Sequence, residues 1–258
     1  MVTTVKLVKM AKLKAPVIFT GLPGIGLVGK IVVDYLLKEL NTEKIAEIIS
    51  DSFPPSAHTK EGMLELIKDE IYHYSFKGKD YLFLSGPVQP SLDFRSGTAQ
   101  EHYEFARSIC EFLKQHDVKE IYALAGINVG ERRMNHEPKV IVAATSKALL
   151  NDLKKYGVII DKNEGLISGA AGLLPGIAAE FGMDAACLMG ETNVRLVYGD
   201  HGAAKKVLEL LIKKFGFKVD MRKIEKESVE IEKAFTQLSA QLEEQEEKPL
   251  PSGLSYVR

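Results

Sequence analysis

Residues 16–40 read PVIFTGLPGIGLVGKIVVDYLLKEL, and three kinds of local structure follow one another within them. The apolar run PVIFT (16–20) stops at Gly21, the pattern of a short buried strand. GLPGIGLVGK (21–30) is a glycine-rich turn. IVVDYLLKEL (31–40) then carries Ile31, Val32, Tyr35, Leu36 and Leu40 at helical spacing. Strand, glycine turn and helix in that order open a βα unit.

The rest of the chain repeats the alternation. Apolar runs at 45–49 (IAEII), 81–84 (YLFL), 121–127 (IYALAGI), 140–144 (VIVAA) and 185–189 (AACLM) predict strands. Helical patterns cover about 98–115, 146–155, 170–181 and 200–215. This predicts an α/β fold with a mixed, mostly parallel central sheet flanked by helices. The segment GMLELIKDEIYHYSF (62–76) breaks the rhythm, and its Ile, Tyr and Phe content predicts a hairpin within it.

The glycine turn admits three readings. As G-x-x-x-x-G-K it is a P-loop without the Ser or Thr that holds magnesium, because Ile31 follows Lys30. The strands YLFLSG and IYALAG also finish in small neutral residues, with no acid to complete a metal site. As G-x-G-x-x-G, Gly24, Gly26 and Gly29 form a dinucleotide fingerprint in the right context. Asp51 lies 22 residues beyond Gly29, near where a ribose-binding acid belongs. Pro23 inside the turn and the stiff loop SDSFPP (50–55) speak against that reading. The third reading is structural: glycines permit positive φ and close helix–strand packing with no ligand at all.

Composition narrows the function classes. The chain has 258 residues, 45% hydrophobic and 27% charged, enough apolar content to build a core. Lys and Arg number 34 against 35 Asp and Glu, so no excess of positive charge is available for nucleic acid. No run approaches the ~18 apolar residues of a membrane span, and the lysine-studded N-terminus is not a secretory signal. Cys110 and Cys187, in apolar surroundings, read as buried small hydrophobes, which predicts a cytoplasmic protein. The six histidines form no metal-ligand spacing, so no metal or cofactor is expected. Asp200 before His201 reads as a helix N-cap rather than half of a catalytic pair. Arg132, Arg133 and His136, in the polar stretch NVGERRMNHEPK (128–139), read either as a solvated loop or as a site for an anion or acidic partner. No residue is assigned a catalytic role.

Near residue 218 the composition changes, dividing the chain into an α/β domain (1–218), an amphipathic helix (219–247) and a tail (248–258). Met221, Ile224, Ser228, Ile231, Phe235, Leu238 and Leu242 are spaced alternately by three and four, a heptad seam with one polar member. Such a seam packs either on its own domain or on another subunit. After the acidic run at 243–247 comes KPLPSGLSYVR, too rich in Pro, Gly and Ser to build core. Its apolar end, Leu254, Tyr256 and Val257 before Arg258, makes it a candidate docking peptide.

GLPGIGLVGK, a helix carrying Asp34-Tyr35, and SDSFPP together resemble the proteasome assembly chaperone family, second type, with archaeal homologues. ISGAAGLLPGIAAEFGMDAACLMGET (167–192) is similar to that family's second signature, a glycine-rich helix followed by a strand ending in Gly-Glu-Thr. The resemblance spans about residues 16–215. It implies a non-enzymatic α/β domain, similar in fold to purine nucleoside phosphorylases and related hydrolases, that binds proteasome α-subunits or the core particle. It also implies a homo-oligomer, or one shared with a homologous chain. The family's tail pattern is hydrophobic–Tyr–any residue at the extreme C-terminus. Here Tyr256 is third from the end and follows Ser255, so the tail is only similar to it.

Overall fold

The computed structural model describes residues 3–9, 13–90, 99–161, 164–230 and 233. Its centre is an eight-stranded mixed sheet in the order β1-β3-β6-β7-β2-β8-β10-β9. Four strands at its heart run parallel: β7 (Lys79–Ser85), β2 (Val17–Gly21), β8 (Glu120–Asn128) and β10 (Asp184–Thr192). On one flank β6 (Asp69–Phe76), β3 (Glu43–Ser50) and β1 (Thr3–Leu7) pair antiparallel, and on the other β9 (Val140–Ala144) does the same. The parallel character predicted for the sheet therefore describes its middle.

The middles of the central strands are near-continuous apolar runs because helices cover both faces. Phe19, Tyr81, Phe83 and Tyr122 face one layer, made by α1 (Val28–Glu39), α4 (Lys147–Lys154) and α6 (His201–Phe215). Ile18, Leu82, Leu84 and Ile121 face the other, made by α2 (Ala99–Gln115) and α5 (Ala170–Glu180). Helix α6 ends at Gly216, whose φ of 74° supplies a left-handed cap. The chain then turns back and sets Phe217 edge-on to Tyr81 at 4.9 Å, inside the aromatic cluster that Phe215 also joins.

Two expectations change. The predicted hairpin at 62–76 is not one unit: β5 (Met63–Leu66) pairs with β4 (Ala57–Lys60), whereas β6 pairs with β3 and β7. Glu61 and Gly62, both at positive φ, make the tight turn that joins β4 to β5. The strand β1 was not foreseen; it closes the sheet edge along β3.

Candidate functional site

The carboxyl ends of β7, β2, β8 and β10 point the same way, and the glycine turn stands among them. Helix α1 leaves β2 toward one face, and α2 leaves β7 toward the other. In open α/β sheets such a divergence leaves a crevice where ligands bind. A 3-10 turn at Ile25–Leu27 joins β2 to α1, with Gly26 at φ 61°.

The three glycines of the turn are not equivalent. A Cβ on Gly29 would lie 1.9 Å from the Leu124 carbonyl oxygen, so this helix approaches β8 at backbone distance. On Gly26 it would meet Thr192 Oγ1 at 2.4 Å, in a backbone conformation that L-residues avoid. On Gly24 it would meet nothing within 4 Å. Lys30 donates to Asp34 Oδ2 at 2.6 Å, and Ser85 Oγ donates to Asp34 Oδ1 at 2.5 Å. The lysine of the P-loop pattern is thus held along its own helix. Asp51 follows β3, which β7 and β6 separate from β2, about 14 Å away at the usual strand spacing.

Behind the turn lies a buried ionic junction. Asp200 accepts 2.8 Å bonds from Arg133 Nε and Nη2, and both side chains are fully buried. Thr192 Oγ1 donates to Asp200 Oδ2 at 2.8 Å, the Asp200 amide donates to Gly26 O at 2.8 Å, and the Ala203 amide donates to Asp200 Oδ1 at 2.9 Å. Asp200 is therefore the N-cap of α6, as its position before the helix predicted, and also the centre of the junction. Arg133, on the short helix α3 (Arg132–Asn135), departs from both readings of its loop, since it is neither solvated nor open to an anion. Its neighbour Arg132 pairs with Glu191 of the Gly-Glu-Thr strand end. The two motifs of the sequence, glycine turn and Gly-Glu-Thr, meet here.

Among the described residues no group of His, Cys, Asp or Glu is placed to hold a metal. Cys110 and Cys187 are buried, and burial pushes both thiols up, to about 12. Asp69, at the root of the β4–β5 hairpin, is also fully buried, and burial holds its carboxyl well above the usual carboxylate range. No helix among the described residues is long and apolar enough to cross a membrane.

The heptad seam begins on the body of the protein. Residues 222–230 are helical, with Ile224 and Ser228 buried and Met221 packed against the same core layer as α1 and α6. Tyr35 Oη donates to Asp220 O at 2.6 Å and ties this segment to α1. The remaining seam positions Ile231, Phe235, Leu238 and Leu242, and the tail residues Leu254, Tyr256, Val257 and Arg258, lie outside the described residues.

A family model for the PAC2 family matches residues 18–239. The chain belongs to the PAC2 family. A curated relative, the uncharacterized protein MJ1210 of Methanocaldococcus jannaschii, is 31% identical over 99% of this chain and 97% of its own. The crystal structure of Pyrococcus furiosus PbaB, an archaeal proteasome activator, superposes with a TM-score of 0.80 at 30% identity, over 92% of this chain and 98% of PbaB. Pyrococcus furiosus PbaA, an archaeal homolog of proteasome-assembly chaperone, gives 0.71 at 27% identity over 94% of each chain. The PAC2 membership and these matches agree with the resemblance read from the two motifs. The fold of this PAC2 protein is that of its archaeal relatives.

Proposed function

We propose that this PAC2 protein is a non-enzymatic, homo-oligomeric proteasome-assembly chaperone homologue that binds proteasome α-subunits or the core particle, in part through its C-terminal tail. The observation that carries this reading is the likeness to PbaB over nearly the whole of both chains. The site geometry supports it. Gly26 and Gly29 close the turn against Thr192 and Leu124, a structural use of the motif. A nucleotide reading meets a committed Lys30, a distant Asp51 and, among the described residues, no cation in the adjoining cavity.

Self-association is supported by the β4–β5 hairpin. Its register places Ala57, Thr59, Leu64 and Leu66 on one face, and Leu64 and Leu66 are 73% and 63% exposed. A two-stranded hairpin with an uncovered apolar face is marginal alone and gains by burial against another chain. The tail, repeated on each subunit, adds weak contacts that an oligomer multiplies.

A pull-down of the full chain and of a 1–250 truncation against free α-subunits and assembled core particle tests the reading. Binding of the full chain, weakened by the truncation, is expected. Equal capture of both would move the contact to the globular body, and capture of neither overturns the proposal.

A further inference from the structure

Between the sheet and α5 lies a cavity of about 390 Å³, opening at the carboxyl ends of the parallel strands. Protein interiors keep few voids much larger than a water molecule, and this volume falls within the ~300–1,000 Å³ range of small-molecule sites. The void has a cause in the residues. Ala125 on β8, Ala143 on β9 and Ala170-Ala171 at the start of α5 stand where larger side chains would fill the space between sheet and helix. Its apolar walls include Ile25, Ile127, Ile141, Leu166, Ile167 and Met189. Leu166, almost wholly exposed, stands at the mouth.

The polar groups are few, and their chemistry is informative. Gln89 is already committed: its Nε2 donates to Pro23 O and its Oε1 accepts from the Ala170 amide at 3.1 Å, which clamps the glycine turn to α5. Asn128 Oδ1 accepts from the Gly130 and Val194 amides, leaving its amide NH₂ as a donor. Thr20 and Ser168 also line it, and among the described residues Asp161 is the single ionisable side chain of the lining. Among the described residues no Lys, Arg or His lines the cavity. Among the described lining residues no cation would replace the hydration that a phosphate or carboxylate loses on entering.

We propose that this cavity is a binding site for an uncharged, largely apolar small molecule bearing one hydrogen-bonding group. The apolar body fills the space over Ile127, Ile141 and Met189, and the polar group meets Thr20 or Asn128. The site is separate from the proposed docking tail, because its lining belongs to the glycine turn, the sheet and the residues leading into α5.

Titration of the full-length protein with Nile red, a neutral dye, tests this. Saturable binding with blue-shifted emission is expected, displaced by benzamide and not by its anionic isostere benzoate or by AMP. Ala143→Phe and Ala171→Leu grow into the cavity from two different elements and should each weaken dye binding at least tenfold with unchanged circular dichroism. Leu64→Ser, on the exposed hairpin, should leave it unchanged. Displacement by benzoate as strong as by benzamide would overturn the charge argument. Unaltered binding in whichever filled variant folds, loss of binding in Leu64→Ser, or no saturable binding at all would overturn the site.

Discussion

At Gly29 an added Cβ would sit 1.9 Å from a backbone carbonyl, while at Leu64 almost three-quarters of the side chain already lies in solvent. Both regions project from the same end of the sheet: the glycine turn follows β2, and the hairpin joins β3 to β6. The turn is held from behind by Arg133, Asp200 and Thr192, and the carbonyls of Pro23, Gly24 and Gly26 each accept a hydrogen bond. The hairpin has its own ladder and an apolar face that the described residues leave uncovered. The contrast separates two uses of one end of a fold. Tight packing with buried hydrogen bonds fixes geometry, whereas exposed apolar surface is available for association.

The largest expected effect is at the junction. Arg133→Met leaves Asp200 buried without its guanidinium, and removing one partner of a buried pair costs about 3–5 kcal/mol. Urea denaturation should show that loss, and the double change Arg133→Met with Asp200→Asn should recover part of it. A cost below about 1 kcal/mol would mean that the pair is not desolvated as described.

Next comes a comparison within the turn itself. Gly29→Ala forces α1 away from β8 and should destabilise by about 3 kcal/mol, the upper end of ordinary overpacking. Gly24→Ala meets open space with an extended φ of −161° and should change stability by less than about 0.5 kcal/mol. If the two variants melted together, the structural account of the glycine motif would fail.

The smallest effect on stability belongs to the hairpin. Leu64→Ser with Leu66→Ser should alter the unfolding free energy by no more than about 0.5 kcal/mol, since these side chains bury little in the single chain. Light scattering should nevertheless show a lower mass at equal protein concentration, because the surface offered for association has lost its apolar groups. A large drop in stability would show instead that the hairpin packs on its own body.

Much of the fold was legible because it rests on local pattern. The apolar runs at 16–20, 121–127 and 140–144 became β2, β8 and β9 with bounds shifted by a residue or so. The helical spacing at 200–215 became α6, and Asp200 capped it. The segment 62–76 misled because strand content is local while pairing is not. Its two strands have the right residues, but β5 turns back on β4 through Glu61-Gly62, and β6 finds β3 and β7. Arg133 misled for a related reason. A polar loop with two arginines looks solvated, and its partner Asp200 lies 67 positions away with no signal linking them.

The residues alone determined the βα alternation, the glycine turn, the cap of α6 and a resemblance carried by two separated motifs, all properties of neighbours along the chain. Tertiary structure alone decided which strands are parallel, which glycines are filled against backbone, where Arg133 is neutralised and where small residues leave a cavity. Those outcomes depend on which distant groups share a space. Close packing and the cost of burying an unpaired charge settle them only when the whole chain is folded.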